Sequence, residues 1–568
     1  MKNSQLIECV ANFSEGNDTN IINHITKEIE SVEGVKLLNV DPGKATNRTV
    51  VTFVGEPQAV IDAAFLAIKK SCELIDMSKH KGEHPRMGAT DVCPLIPIAG
   101  ISMAETAEYA KKLGKKVGNE LSIPVYLYEA AQANKNRNNL SLIRAGEYEG
   151  FFKKIKLPEW KPDFGPVEHS IKSGSTVIGA RDFLVAYNIN LNTTSTRRAN
   201  AIAFDVREAG RLKREGNPVT GKIVTDEKGN PVNIPGSLKS VKAIGWYIEE
   251  YGIAQISMNL TNINITPVHI AFEEASKKAN ERGIRVTGSE LVGLVPLKSM
   301  LDAGKFFLEK QQRSTGLSEK ELIKIAVKSL GLDELSPFKV EERIIEYLLK
   351  SDSMARLIKM DLEAFADEAA SESPAPGGGS ISAYMGALGI SLGTMVANLS
   401  SHKPGWDERW KEFSDWAEKG QAYKNRLLSM VDEDTNAFNK IMTAFGKPKA
   451  TEEEKKARTQ AIQDATKYAT EVPFKVMQLC CDSMEVMKAM TETGNPNSVT
   501  DAGVGALCAR SAVMGAFLNV KINAAGLSDK SFAADIVSKG NEIEAKAQLL
   551  ETEILNIVNG KIGELKNK

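Results

Sequence analysis

The 568-residue chain has few cysteines and only six histidines. Its six cysteines are scattered and form no Cys-x-x-Cys pair, so the sequence suggests neither a zinc site nor a disulfide framework. The N-terminal stretch MKNSQLIECVANF has too short an apolar run for a secretory signal peptide. These features predict a reducing compartment, and we expect a cytoplasmic protein.

An excess of charge of either sign is also lacking, because 72 basic and 73 acidic residues give a net charge of -1. Such a balance creates no overall field toward nucleic acid or an anionic membrane, and we expect neither as a partner. The long, weakly apolar segment at 381–401 is rich in glycine and serine. We interpret it as a buried helix that packs through small residues rather than as a membrane span.

Strand and helix signals alternate in the front part of the chain, whereas helix signals dominate the rear part. The pattern predicts an α/β fold of two subdomains, at 1–183 and 184–349. A linker at 350–358 and an all-α domain at 359–568 would follow. A polar segment at 213–235, rich in glycine and proline, interrupts the second subdomain and predicts a long loop or a β-hairpin insertion.

One histidine, His84, lies in the motif KGEHPRMG between Gly82 and Gly88. Pro85 removes an amide donor and favours extended geometry for the residue before it, so His84 cannot lie inside a helix. Its imidazole therefore belongs to a shaped loop, where functional residues concentrate. His80 lies four residues earlier and raises the alternative of a zinc site, but the broken helix and the lack of an evident third ligand argue against a metal.

A carboxylate occupies an unusual place in the rear part, within RLLSMVDEDTNAFNKIM. At 3.6 residues per turn, the apolar side chains at 427, 431, 438 and 442 form one stripe, and Asp434 falls on that stripe. Asp432 lies on its flank. A carboxylate on a core-facing stripe is costly unless it has a partner or a chemical role, so either residue could be an acid or part of a helix–helix ion pair.

Several longer motifs resemble known enzymes. ECVANFSEGN, DPGKATNRTVVTFVG, DMSKHKGEHPRMGATDVCPLIP, IRAGEYEG and GSELVGLVPL resemble glutamate formiminotransferase, over essentially all of residues 1–350. SPAPGGGSISA, SMVDEDTNAFN and NVKIN resemble formiminotetrahydrofolate cyclodeaminase, and related cyclohydrolases share this second set. Both halves in this order are similar to the bifunctional formimidoyltransferase-cyclodeaminase family.

The resemblance implies two successive reactions. The formimino group of N-formimino-L-glutamate passes to N5 of tetrahydrofolate, and ring closure then gives 5,10-methenyltetrahydrofolate and ammonia, at the end of histidine breakdown. Tetrahydrofolate, with or without a polyglutamate tail, is then a co-substrate, and no metal or nucleotide is expected. The animal relatives form ring-shaped octamers, so the resemblance also implies a homo-oligomer.

The resemblance also implies roles for individual residues. His84 matches the family's catalytic histidine, and a group that titrates near neutrality suits proton removal from one amine and return to another. Asp41 is our candidate for the carboxylate that faces the positively charged amidine. Equally, it could be an aspartate that only forms a turn before Pro42. Arg48 and Arg86 could bind the substrate carboxylates or form surface ion pairs. For the second reaction we favour Asp434 as the acid and base, and then Asp432.

Three stretches are candidate folate contacts. The family's folate residues match the two stretches of the front part, and the third is the glycine-rich start of a helix, which favours anionic groups but lacks the GK[ST] ending of a phosphate loop. The candidates are Gly165, Pro166, Val167, Glu168, His169, Ser170, Ile171, Lys172, Ser173, Gly174; Gly236, Ser237, Leu238; and Gly377, Gly378, Gly379, Ser380.

Two other functions remain open at this point. The rear domain could be a methenyltetrahydrofolate cyclohydrolase fused to the transferase, since the glycine-rich motif is shared. Alternatively, the chain could be a folate-binding scaffold without turnover, although the presence of both His84 and Asp434 argues against that role.

Overall fold

The computed structural model describes residues 5–44, 46–82, 85–216, 221–349 and 357–566. Within them the chain forms two compact units. The first comprises residues 5–299 and 330–349, and the second comprises residues 300–329 and 357–566. The predicted linker at 350–358 lies outside the described residues except for its last two positions.

A six-stranded sheet, in the order β2-β3-β1-β4-β6-β5, forms the N-terminal half of the first unit. Its first four strands in that order pair antiparallel, and β4, β6 and β5 pair parallel. The strands are β1 (Leu6–Phe13), β2 (Val35–Gly43), β3 (Arg48–Gly55), β4 (Thr90–Ala99), β5 (Val125–Glu129) and β6 (Thr176–Ala180).

Helices cover one face of this sheet, and the alternation of residues along β1 explains which one. Ile7, Cys9, Ala11 and Phe13 point to the helices and belong to the buried core, because successive strand residues face opposite sides. The long helices on this face are α1 (Thr19–Glu30), α2 (Pro57–Leu74) and α3 (Met103–Glu120). Two short helices, α4 (Leu140–Arg144) and α5 (Glu147–Lys154), pack on the opposite face, where Ile143 and Phe151 join a cluster with Tyr126, Tyr128 and Val177.

A second, antiparallel sheet of order β10-β11-β7-β12 forms the other half of the first unit. The segment AIGWYIEEYGIAQISMNL forms the hairpin of β10 and β11. The elements are β7 (Val185–Leu191), α6 (Thr196–Val206), β8 (Arg211–Leu212), β9 (Asn233–Ile234), β10 (Val241–Ile248), β11 (Ile253–Leu260), α7 (Val268–Asn280), β12 (Val286–Val292), α10 (Val340–Arg343) and α11 (Ile345–Leu349).

The inserted segment at 213–235 follows the hairpin alternative in its described part. β8 pairs antiparallel with β9, and two isolated bridges, Arg214 with Ile223 and Thr225 with Pro231, pair the segment at 223–225 with both arms. Residues 217–220 lie outside the described part of the chain. The insertion is therefore a narrow β structure that leaves the four-stranded sheet intact.

The second unit is helical, as predicted for the rear part of the chain. Its helices are α8 (Leu297–Lys310, from residue 300 onward), α9 (Glu319–Leu330, to residue 329), α12 (Leu362–Ala370), α13 (Gly378–Ser401), α14 (Trp410–Phe445), α15 (Glu452–Thr493), α16 (Val499–Ala525) and α17 (Lys530–Lys566). Residues 300–329 belong here because Thr315 N and Thr315 Oγ1 bind Ser414 Oγ at 3.0 and 2.9 Å.

The apolar segment at 381–401 is α13, and it packs through small residues as expected. A Cβ on Gly389 would lie 2.7 Å from Gly505 O of α16, so the two backbones approach too closely for a larger side chain. Two segments, Gly378–Ser401 and Pro496–Ala525, are long and apolar enough to cross a membrane, but 61% and 50% of their most apolar windows are buried within the protein. That burial favours core helices.

Candidate active sites

A cavity of about 360 Å³ lies over the face of the six-stranded sheet that the three long helices leave uncovered, beside the short helix α4. Alternate residues of the sheet strands form its floor, and residues from the second sheet and its loops complete the wall. The polar lining side chains are Glu8, Asn12, Asn39, Asp41, Arg48, Thr52, Tyr128, Arg144, Arg181 and Asn259. Three cationic and two anionic side chains therefore share one concave site.

A buried aspartate holds two of these arginines in place. Asp91 is fully buried and forms ion pairs with Arg48 and with Arg144, the latter at 2.8 Å. Its other oxygen accepts a hydrogen bond from Met87 N at 3.0 Å, and Arg48 Nε donates to Asn12 Oδ1 at 3.1 Å. Because one carboxylate serves two guanidinium groups, the cluster keeps a net positive charge that faces the cavity.

Asp41 and Arg48, two of the predicted substrate residues, both line this cavity. Asp41 lies within β2 opposite Val50 of β3. It is therefore a strand residue with an exposed side chain rather than part of a turn. The structure brings together a candidate carboxylate for a cationic amidine and a candidate arginine for a carboxylate.

Arg86 lies elsewhere, in an ion-pair network beside the predicted catalytic loop. Its guanidinium binds Glu149 at 2.7 Å and Glu147 at 3.1 Å, and its Nε donates to His80 Nδ1 at 3.3 Å. His80 Nε2 lies 2.8 Å from Asn47 O. Arg86 is nearly buried and is absent from the cavity lining, so its position fits the ion-pair alternative. His84 itself lies outside the described residues.

The stretch at 165–174 forms a turn beside this loop. Its backbone binds both ends of the segment that carries Arg86, because Met77 N donates to Lys172 O and Ala89 N donates to Ser173 O. His169 is buried against Tyr148 and Phe152, with its Nδ1 2.7 Å from Ser175 Oγ. Burial lowers the pKa of His169 to about 4, so this imidazole is neutral near pH 7.

The stretch at 236–238 packs on α6, where Ser237 N donates to Asp205 O. A Cβ on Gly236 would lie 2.9 Å from the same carbonyl oxygen, which explains the glycine by close backbone approach. Neither this stretch nor 165–174 contributes to the lining of the large cavity. Their folate contacts stay predictions.

A second, smaller cavity of about 200 Å³ lies in the helical unit, at the start of α13. Its lining contains one ionisable side chain, Asp434. The other lining residues are Pro374, Ala375, Gly377, Gly378, Thr435, Phe438, Ile441, Ala469, Asn519 and Asn523. The predicted glycine-rich loop and the predicted carboxylate therefore meet in one site.

Asp434 is held against the first turn of α13. Ser380 Oγ lies 3.1 Å from Asp434 Oδ2 and 2.9 Å from Val431 O. Burial raises the pKa of the Asp434 carboxyl, and hydrogen bonds from Ser380 oppose that rise. The absence of a side chain at Gly379 makes room for this contact, since a Cβ there would lie 2.6 Å from Asp434 Oδ2.

Asp432 has a different environment. It is 9% exposed, its Oδ1 accepts a hydrogen bond from Leu357 N at 2.8 Å, and it is not part of the cavity lining. The expectation of one continuous core-facing stripe is wrong beyond Asp434, because Phe438 and Met442 are 38% and 54% exposed. The stripe ends there because the helix passes the cavity, which Phe438 lines.

Models of three protein families match the chain. The Formiminotransferase domain, N-terminal subdomain, matches residues 6–181, the Formiminotransferase domain matches 186–350, and Formiminotransferase-cyclodeaminase matches 361–542. The Formimidoyltransferase-cyclodeaminase of Mus musculus is 42% identical over 530 residues, which cover 93% of this chain and 94% of the mouse protein. The chain belongs to the formimidoyltransferase-cyclodeaminase family.

Single-function relatives match the two parts of this family member separately. The Glutamate formimidoyltransferase of Thermoplasma acidophilum is 41% identical over 306 residues, 54% of this chain and 92% of that protein. The Methenyltetrahydrofolate cyclohydrolase of Methylorubrum extorquens is 37% identical over 201 residues, 35% of this chain and 97% of that protein. The family thus joins two modules that also occur apart.

Sequence reasoning missed several side chains of the first cavity and its supporting wall, namely Glu8, Asn12, Asp91, Arg144 and Arg181. A signal existed for the first two, because Glu8 and Asn12 alternate with the buried residues of β1 and must share its other face. The arginine cluster carried no local signal, since Asp91 is 43 residues from Arg48 along the chain.

Proposed function

We propose that this family member transfers the formimino group from N-formimino-L-glutamate to tetrahydrofolate and then converts the product to 5,10-methenyltetrahydrofolate and ammonia. The observation that carries this proposal is that one bifunctional relative aligns with both units over 93% of the chain. The two cavities, one in each unit, supply separate places for the two reactions.

In the first reaction, N5 of tetrahydrofolate attacks the carbon of the amidine, and the bond to the glutamate nitrogen breaks. The attacking nitrogen loses a proton and the leaving nitrogen gains one, and we assign both transfers to His84. We assign Asp41 to the positive amidine and Arg48 to a substrate carboxylate, because both side chains line the cavity. Asp91 keeps Arg48 oriented toward the cavity.

In the second reaction, N10 attacks the formimino carbon. The bond from that carbon to its terminal imino nitrogen breaks, and this nitrogen leaves as ammonia, while the bond to N5 is kept. The proton lost by N10 and the proton gained by the leaving nitrogen need a nearby group that can exchange both. A carboxyl with a raised pKa, such as that of Asp434, is suited to this exchange near neutral pH. We therefore propose Asp434 as the acid and base.

A cyclohydrolase remains the second candidate for the rear domain, because the relative from Methylorubrum extorquens aligns over 97% of its length. The two reactions differ in their products. Cyclodeamination of 5-formiminotetrahydrofolate releases ammonia, whereas a cyclohydrolase interconverts methenyl- and formyltetrahydrofolate without nitrogen loss. Measurement of ammonia with purified 5-formiminotetrahydrofolate separates the two functions.

The experiment compares three full-length chains: wild type, His84→Ala and Asp434→Asn. We expect His84→Ala to lose glutamate release from formiminoglutamate by about 100-fold or more while it still releases ammonia from 5-formiminotetrahydrofolate. Asp434→Asn should show the reverse pattern. Negligible rates that are equal in all three chains would support the scaffold instead, and ammonia release that Asp434→Asn leaves unchanged would contradict our assignment.

Tetrahydrofolate, with or without a polyglutamate tail, is the proposed co-substrate. We also propose that the protein is cytoplasmic and a homo-oligomer, with an octamer as the expected size. Large apolar side chains on α13 and α16 are exposed, among them Leu388, Leu399, Leu518 and Ile522, and we propose that another copy of the chain covers them. Light scattering should give a mass of about eight times the chain's 61.8 kDa.

A further inference from the structure

Glu8 is a buried acid in the first cavity that the proposed reaction does not yet use. It lies in β1, opposite Val54 of β3 and Ile96 of β4, and its side chain lines the cavity. The residue is 1% exposed, and its Oε2 has no hydrogen-bond partner among the described residues. An unpaired buried carboxyl oxygen costs free energy unless a ligand satisfies it, so it marks a place where a donor binds.

Two charged groups act on Glu8 from neighbouring elements. Arg181, which follows β6, lowers its pKa, and Glu346 of α11 raises it. Arg181 donates a hydrogen bond to Asp182 O at 2.9 Å, so part of its guanidinium is engaged elsewhere. Burial is the largest effect and raises the pKa of Glu8 to about 7, so the carboxyl is part ionised at neutral pH.

The position of Glu8 along the cavity limits what it can bind. Asn12, four residues further along β1, lies at the end of the cavity where Asp41 and Arg48 also lie. Four strand residues span about 13 Å. Between the two ends, the floor is formed by Val10, Pro94 and Thr52, two of them apolar, whereas Val50 lies opposite Asn12 at the Asp41 end. A bicyclic ring that is hydrogen-bonded at its Glu8 end fits this span and this floor.

We propose that Glu8 anchors the pterin ring of tetrahydrofolate by accepting hydrogen bonds from ring N3–H and from the 2-amino group. These two adjacent donors match the two oxygens of a carboxylate. With that edge on Glu8, the second ring, which carries N5, extends toward the end of the cavity where Asp41 lies. This inference rests on the proposed transferase function, and it assigns the amidine to the other end of the cavity.

The test uses the full-length enzyme and a readout that only the transferase site determines. 5-Formyltetrahydrofolate, a stable analogue of the product, is measured as a competitive inhibitor of formimino transfer against tetrahydrofolate. p-Aminobenzoylglutamate, which lacks the pterin, serves as the matched probe. The chains are wild type, Glu8→Gln and the control Glu120→Gln, an exposed glutamate at the end of α3.

We expect Glu8→Gln to weaken inhibition by 5-formyltetrahydrofolate roughly 10- to 100-fold, because a charged acceptor pair is lost. Inhibition by p-aminobenzoylglutamate and the KM for formiminoglutamate should stay within about twofold of wild type. In wild type the inhibition constant should rise as the pH falls from about 8 to 6, since protonated Glu8 loses one acceptor, and in Glu8→Gln this dependence should disappear.

Equal inhibition constants for 5-formyltetrahydrofolate in Glu8→Gln and wild type, with transfer intact, would overturn the pterin assignment and leave the transferase function standing. So would a rise confined to the KM for formiminoglutamate, which would place the amidine on Glu8. An equal loss for both inhibitors would also overturn it. If Glu8→Gln does not fold, a pH-independent inhibition constant in wild type decides against the proposal. Absence of transfer in wild type would overturn both.

Discussion

The two candidate sites differ in how they use charge. Among the described residues, three arginines and two acids from several strands and loops line the cavity of the first unit, whereas Asp434 is the one ionisable residue that lines the cavity of the helical unit. The first reaction joins two separate molecules, one of them a dicarboxylate, so its site must bind and orient both. The second is a ring closure within one molecule, which needs mainly a local proton carrier.

This comparison separates recognition from proton transfer. In the first site we expect many of the charges to serve binding, and a buried aspartate behind the wall forms ion pairs with two of the arginines. In the second site a small residue positions the acid instead. Gly379 has no side chain, so the Asp434 carboxylate can approach the start of α13. Changes to the first site should therefore affect stability and binding together, while changes to the second should affect rate alone.

The largest effect should come from Asp91→Ala. Removal of this carboxylate leaves Arg48 and Arg144 as neighbouring guanidinium groups with little solvent contact, each 13% or less exposed at the side chain. We expect the first unit to lose about 3–5 kcal/mol of stability. Urea denaturation followed by hydrogen exchange of β1 and β4 peptides measures this loss.

Its control is Asp226→Ala, an exposed aspartate in the insertion. If Asp91→Ala destabilises the first unit no more than this control does, Asp91 does not organise the arginines. Formimino transfer should fall with Asp91→Ala, and ammonia release should not. That result would confine the effect of Asp91 to the first site.

The next effect concerns pH and Glu8. The pKa of Glu8 is raised from 4.5 to about 7, so the folded state binds its proton more tightly than the unfolded state. The stabilisation from this group is full below about pH 4.5 and is lost as the pH rises through 7, by about 3 kcal/mol in total. Glu8→Gln has no such proton, so its stability relative to wild type should increase between about pH 5 and 8.

The same urea and hydrogen-exchange measurement at several pH values follows this difference. If the difference in unfolding free energy between Glu8→Gln and wild type stays constant from about pH 5 to 8, Glu8 does not titrate in this range. Glu120→Gln, with its side chain in solvent, should parallel wild type throughout.

How much of this could be predicted from the sequence depended on whether the signal was local. Strands β1 and β3 and helices α2 and α3 follow from alternation and periodicity, and the all-helical rear part follows from its lack of strand signals. β6 and β12 take their places by pairing with strands that are distant in sequence, β6 with β4 and β12 with β7, so local patterns do not predict them. Asp434 could be singled out because an acid within an apolar helix stripe is a local anomaly.

The remaining site features depended on tertiary contacts. The Arg48–Asp91–Arg144 cluster joins three segments that are far apart in sequence, so no spacing rule predicts it. Arg86 could equally have been a ligand-binding residue, and only its contacts with Glu147 and Glu149 distinguish the alternatives. The apolar stripe of α14 failed beyond Asp434 because periodicity cannot show where a cavity replaces the core.

A smaller effect should follow from Gly379→Ala in the helical unit. The new Cβ would lie 2.6 Å from Asp434 Oδ2, so the carboxylate must move from Ser380. We expect ammonia release to fall by roughly 10- to 100-fold, because displacement by about 1 Å is costly at a reacting centre. Formimino transfer should not change.

Gly560→Ala is the matched helix control, because a Cβ at that position meets nothing within 4 Å. It should leave ammonia release as in wild type and, at an exposed helix position, stabilise slightly. Equal rates for Gly379→Ala and Gly560→Ala would mean that the close approach of α13 does not position Asp434.

The smallest effect should come from Asp432→Asn, two residues from the proposed acid. The asparagine side chain would still offer an oxygen to Leu357 N, so the hydrogen bond that Asp432 Oδ1 accepts can persist. We expect ammonia release within about threefold of wild type and stability within about 1 kcal/mol, against a loss of about 100-fold or more for Asp434→Asn. Steady-state ammonia assays of the two variants side by side measure the contrast. A large loss in Asp432→Asn with a normal melting temperature would move the proton transfer from Asp434 to Asp432, and the one-carboxylate description of the second site would fail.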